Sequence, residues 1–153
     1  MIVVSNSGPL ITLARVEHFA LLRELLGRVY VPQGVYDEVV VAGAGLPGSR
    51  ELEEAIGGWM EIRPVREPLI ARSMFALGRG EAEAITLALE IKADVVLLDD
   101  RKARRAAQFL GVPLMGTVGV LRLALEAGRL EDWDGIIEKL EVHGFRISTR
   151  IRP

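Results

Sequence analysis

Acidic and amide side chains stand in this chain where apolar segments end or helices begin. Asp99-Asp100 closes the apolar run Val95-Val96-Leu97-Leu98, and Asn6-Ser7 follows Ile2-Val3-Val4. Adjacent carboxylates at such an end repel one another unless they are solvated, paired with Arg101, Arg104 or Arg105, or bound to a cation. Asp ahead of a helix is also a favoured N-cap, so Asp99-Asp100 carries a capping reading beside the chemical one. Glu81, in Gly80-Glu81-Ala82-Glu83-Ala84, stacks on a helix in line with Ile85 and Ala88, whereas Glu83 aligns with Thr86, Leu87 and Glu90. Glu81 is therefore the more buried of the two by expectation, although the helix dipole alone favours a first-turn Glu. Glu38 follows Val35 by three positions and so reaches either over the sheet rim or into solvent, while Asp37 points elsewhere. Asn6 can equally make an Asx-turn into Gly8-Pro9.

Other chemistries are excluded by what the chain lacks. There is no Cys, which removes disulfides, thiolate metal sites and a Cys nucleophile. His18 and His143 have no second His at ligand spacing, which speaks against zinc. Neither a GK[ST] phosphate loop, a GxGxxG fingerprint nor a GxSxG elbow occurs.

The elements that must position these residues alternate between strand and helix. Ile2 to Val4, Val29 to Val31, Met60 to Ile62, Val95 to Leu98 and Pro113 to Met115 are short apolar runs suited to strands buried on both faces. Between them the pattern predicts a helix opened by Pro9, a second over Phe19 to Leu26 stopped by Gly27, and a third started by Pro32 and ended by Gly43. Further helices are expected over Arg50 to Ile56, Pro68 to Leu77, Glu81 to Glu90, Arg101 to Leu110 and Trp133 to Val142, with another capped by Thr117 and running to Ala127. This is the signature of a doubly wound parallel α/β sheet, whose ligand sites lie beyond the carboxyl ends of the strands. That rule selects Asn6-Ser7 and Asp99-Asp100.

The chain has 153 residues, 50% of them apolar and 26% charged, enough for the core of a single domain and too ordered in composition for disorder. Nineteen Lys and Arg against 21 Asp and Glu give a net charge of −2, so a nucleic-acid partner cannot be held by bulk charge and must be held locally. No uncharged apolar run approaches the ~20 residues of a membrane span, and Met1-Ile2-Val3-Val4 lacks the basic start of a signal peptide. A cytoplasmic protein without a membrane segment is expected. One Asn, two Gln and no Cys point to a heat-adapted source. A mean hydropathy of +0.27 in so small a chain points to self-association or a partner near Ser49 to Leu77 or the C-terminal helix.

Five segments together resemble a known family. They are Ser5-Asn6-Ser7-Gly8-Pro9-Leu10-Ile11, Val35-Tyr36-Asp37-Glu38-Val39, Gly78-Arg79-Gly80-Glu81-Ala82-Glu83-Ala84-Ile85, Leu97-Leu98-Asp99-Asp100-Arg101-Lys102-Ala103-Arg104 and Gly116-Thr117-Val118-Gly119-Val120-Leu121. In this order the chain is similar to the PIN domain, and within it to the DUF3368-type, VapC-like ribonucleases, from Ile2 to about Ser148.

The resemblance implies a three-layer α/β/α fold with a five-stranded parallel sheet in order 3-2-1-4-5. It implies metal-dependent cleavage within an RNA chain, with the protein as the toxin of a toxin–antitoxin pair, so RNA and an antitoxin protein are the expected partners. Glu38, Glu81 and Asp99 would be the catalytic carboxylates, holding Mg2+ or Mn2+ with Asn6 and with Asp100 as an alternate or outer ligand. Ser7 and Thr117 would support the site. Arg101, Lys102, Arg104 and Arg105 would contact RNA phosphates, with Arg146, Arg150 and Arg152 as a basic tail. The family pattern usually has Asp where this chain has Asn6, which removes one negative charge from the cluster. A binding module that holds RNA or protein without cutting it is the alternative.

Overall fold

The computed structural model describes residues 1–147, so Arg150 and Arg152 of the expected basic tail lie outside the described residues. Five strands, β1 (Val3–Ser5), β2 (Val29–Val31), β3 (Met60–Ile62), β4 (Val95–Leu97) and β5 (Leu114–Met115), form one parallel sheet in the order β3-β2-β1-β4-β5. Val3 pairs with Val29 on one side and Val95 on the other, and Leu97 pairs with Met115.

Burial on both faces explains why the strands read as unbroken apolar runs. Successive side chains of a strand point to opposite faces. Val3, Val95 and Leu97 enter one core with Leu10 and Leu13 of α1 (Ser7–Arg15), Leu22 of α2 (Leu21–Leu26), Leu52 of α4 (Ser49–Ala55), Leu121 of α8 (Thr117–Glu126) and Leu140 of α9 (Trp133–Val142). Val4, Val96 and Leu98 enter the other, with Ile85, Leu87 and Ala88 of α6 (Arg79–Glu90) and Ala103 and Ala107 of α7 (Arg101–Phe109). Among the described residues no helix is long and apolar enough to cross a membrane.

Several boundaries differ from the expectation. The first helix begins at Ser7, not Pro9; Pro9 is its third residue, where an N–H would also lack an intrahelical partner. α3 (Gln33–Tyr36) does not continue as an α-helix to Gly43 but widens into a π-helical segment, Asp37–Ala42. α5 (Pro68–Arg72) stops well before Leu77, at Ser73, whose hydroxyl donates to the Ile70 carbonyl at 2.6 Å. Beyond it Phe75 points to solvent while Met74 and Leu77 pack inward. Gly78-Arg79-Gly80, expected to separate two helices, instead supplies the N-cap and first turn of α6.

Candidate functional site

The site lies at the carboxyl ends of β1 and β4, neighbouring strands in the middle of the sheet. The Asn6 N–H donates to the Leu97 carbonyl at 3.0 Å and ties the two strand ends together. Above them a cleft of about 450 Å3 is lined by Asn6, Ser7, Glu38, Glu81, Asp99 and Asp100, together with Phe145 from the segment after α9. The chain thus gathers every acidic and amide residue expected there, from four separate elements.

Asn6 is 4% exposed, precedes α1 without making a side-chain capping bond, and leaves its amide oxygen, Oδ1, buried with no hydrogen-bond partner. The Asx-turn reading therefore does not account for it. A buried unpaired acceptor costs about 1–3 kcal/mol. Gly80 explains the room around it. A Cβ there would stand 3.5 Å from Asn6 Oδ1 and 3.0 Å from Glu38 Oε2, so both oxygens converge on space that only a glycine leaves open. Glu38 is exposed at the cleft rim, on the π-helical segment, a widened turn of the kind often found at functional sites. Asp37 turns away to pair with Arg79 at 3.0 Å.

Asp99 and Asp100 divide their work. Asp100 caps α7, accepting from the Ala103 N–H at 3.0 Å, so the capping reading holds for this residue. Asp99 instead accepts from the Thr117 N–H at 2.8 Å and from the Thr117 hydroxyl at 2.6 Å. Thr117 is accordingly not the N-cap expected of it. Gly116 takes that position, and the hydroxyl serves a carboxylate 18 residues away in sequence. Burial pushes the Asp99 carboxyl above the usual range, opposed by both Thr117 hydrogen bonds and by the Arg104 charge.

Glu81 is half-buried and accepts from the Gly78 N–H at 3.1 Å. Its carboxyl is pushed up first by burial and further by the charges of Asp100 and Glu38, against the Gly78 hydrogen bond. Glu83, expected to be the more exposed, falls in the same part-buried range as Glu81. Its side chain is only 14% exposed, tied to Arg79 and to the Gly34 N–H at 2.8 Å. α6 packs against the sheet on one side and α3 and α5 on others, so the face bearing Glu83 is covered too. Gly34 permits that close approach, since a Cβ there would meet Glu83 Oε1 at 2.9 Å.

All donors in the cleft are oxygen, the set that suits a hard divalent cation, and Asn6 Oδ1 is a lone acceptor without a donor. These residues fit such an ion chemically. Among the described residues, however, no three carboxylate or imidazole side chains stand close enough together to form a finished metal cage. Of the four basic residues expected to meet RNA, only Arg104 lines a cleft beside Asp99. Arg101, Lys102 and Arg105 are exposed elsewhere on α7. Arg101, Arg104 and Arg105 are spaced i, i+3 and i+4 and so share one side of α7, whereas Lys102 is turned about 100° from Arg101. Phe145 was missed by the sequence reading, because a single aromatic after a helix has no spacing that marks it.

Comparison with known proteins gives a family model, DUF3368, described as a PIN domain, that matches residues 2–152. A search of curated proteins gives no match. Among solved structures, the chain is similar to a PilT N-terminus domain protein from the hyperthermophilic archaeon Sulfolobus solfataricus. The TM-score is 0.53 at 18% identity, covering 86% of this chain and 95% of that one. At that identity the likeness concerns the fold.

Proposed function

The chain belongs to the PIN-domain family DUF3368, whose members are generally nucleases, and on that premise we propose that the acidic cleft hydrolyses phosphodiester bonds within RNA. The buried, unpaired Asn6 Oδ1 among three carboxylate-bearing elements is the observation that carries this reading. Asn6, Glu38, Glu81 and Asp99 would hold Mg2+ or Mn2+, with Asp100 outside them. Such a cation lowers the pKa of bound water, orients the phosphodiester and stabilises charge on the leaving oxygen.

The chain's own groups supply the rest. Thr117 fixes both oxygens of Asp99, so this carboxylate is held in one orientation before substrate arrives. Glu81 belongs to the carboxylate cluster of the cleft that would take the proton of the attacking water as one P–O bond forms and that to a ribose oxygen breaks. Cleavage of a mixed-sequence single-stranded RNA in Mg2+ or Mn2+, abolished by Asp99→Asn, is the expected result. Activity unchanged in Asp99→Asn would sink the assignment.

Asn6 also favours a second reading, since one carboxylate fewer weakens cation binding. On that reading the wild type binds RNA without cutting it and only Asn6→Asp cuts. As a toxin the chain would act on cytoplasmic RNA and be held by an antitoxin, whose short frame would neighbour its gene. Leu69, Ile70 and Phe75, exposed on and after α5, and Val142 on α9 are the apolar side chains such a partner or a second copy would cover.

A further inference from the structure

A second cleft, of about 470 Å3, adjoins the acidic one and shares Asp99 and Phe145 with it. Its character is opposite. Arg104, Arg122 and Arg146 line it, with Leu114, Met115 and Val118 as an apolar floor. Among the described residues, Asp99 is its only acidic lining residue. Arg104 is half-buried and spends one nitrogen on the Leu98 carbonyl, at 2.9 Å. A guanidinium has five N–H donors in a fixed fork, so others remain for an anion. Phe145 is part-buried, packs against the core and lines both clefts.

We propose that this second cleft seats the nucleotide adjoining the cleaved bond, its phosphate on the arginines and its base against Phe145. The inference rests on the nuclease reading for the position of the cleaved bond, and it adds the path of the strand. A chain of net charge −2 has no general attraction for a polyanion, so affinity must come from a local set of cations. The acidic cleft alone would repel one. A basic cleft sharing a wall with it resolves that conflict, because one phosphate can sit over the carboxylates while its neighbour is held by arginine. An aromatic ring lining both clefts can stack with any base, since every base has a π-face. Recognition of this kind favours single strands, whose bases are free to leave the stack, over duplex.

The test is equilibrium binding of a short single-stranded RNA carrying 2-aminopurine, in EDTA so that nothing is cut. Stacking quenches the fluorophore. Wild type is expected to quench it. Phe145→Leu keeps an apolar side chain against the core and should lose the quench and bind on the order of tenfold more weakly. Arg146→Gln, at an exposed position, should reduce the slope of log Kd against log salt by about 0.7. Asp99→Asn should keep the quench while losing cleavage in Mg2+, which separates the two readings. Absence of quenching by wild type, or unchanged quench and salt slope in Phe145→Leu and Arg146→Gln at matched Tm, would overturn the proposal even if the wild type cuts RNA. Loss of both signals in these variants supports it even if no cleavage is found.

Discussion

Replacing Thr117 by Val should destabilise the protein by about 2 kcal/mol at neutral pH, acting through Asp99 rather than through packing. Thr117 is fully buried, and its N–H and hydroxyl reach the two oxygens of Asp99 at 2.8 and 2.6 Å. Valine keeps the N–H, the branch at Cβ and nearly the same volume, so the first bond survives and no cavity opens. The hydroxyl is lost, and a hydrogen bond to a charged group is worth roughly 1.5–3 kcal/mol. In a chain of this length a loss of about 2 kcal/mol lowers Tm by about 4–8 °C. The pH dependence gives the effect a signature. Burial already holds the Asp99 carboxyl above the usual range. A carboxyl raised in the folded state stabilises the fold fully below its unfolded value, about 3.9, and that contribution is lost as pH rises through the folded value. Removing the hydroxyl raises the folded value further. The deficit is therefore largest where Asp99 is ionised and narrows as pH falls toward 4. Thermal denaturation in EDTA at both pH values, repeated in an Asp99→Asn background, measures it. A deficit equal at both pH values and undiminished in Asp99→Asn would refute the reasoning and leave Thr117 as a packing residue.

Two other substitutions probe the convergence of oxygens. Asn6→Asp puts a further charge at a 4% exposed position facing Glu38, so Tm in EDTA should fall while calorimetric titration shows tighter Mn2+ binding; unchanged values for both would mean that the side chain at position 6 does not meet an ion. Gly80→Ala places a methyl 3.0 Å from Glu38 Oε2 and 3.5 Å from Asn6 Oδ1 while improving helix propensity by about 1 kcal/mol, so Mn2+ affinity should drop severalfold with Tm in EDTA held or raised, and a variant that titrates like wild type would show that these oxygens do not meet an ion there.

The sheet was legible because its strands are buried on both faces, which turns each into a short apolar run between helical patterns. Its ends then marked Asn6 and Asp99 by the general rule for parallel sheets, whereas helix periodicity left Glu38 and Glu81 open and only the resemblance to PIN domains joined them to that set. What was not legible depends on contacts distant in sequence. Thr117 has the chemistry of an N-cap, but Asp99 offers its hydroxyl a charged partner and prevails over the local role. Glu83 lies on a face that periodicity alone leaves undecided, until Gly34 lets α3 close over it. The π-helical widening after Tyr36 has no composition of its own. Arg101, Lys102 and Arg105 were chosen with Arg104 for adjacency along the chain, which does not say which of them reaches the cleft that Arg104 lines.

These particulars bear on why an amide, not an acid, stands at position 6. Asp99 and Glu81 are both pushed toward their neutral forms by burial, and Glu81 also by its acidic neighbours. Each is held in place by donors the chain provides, Thr117 for Asp99 and the Gly78 N–H for Glu81. Asn6 is more deeply buried than either and has no donor at all. A carboxylate there would add repulsion without the hydrogen bonds that make the other two tolerable, whereas an amide oxygen leaves a ligand of the right hardness at the cost of one unmet acceptor. On the proposed reading that acceptor is met when the ion binds. The cation would then stabilise the fold by an amount that grows with the logarithm of its concentration over its Kd, because it meets that oxygen in the folded state alone.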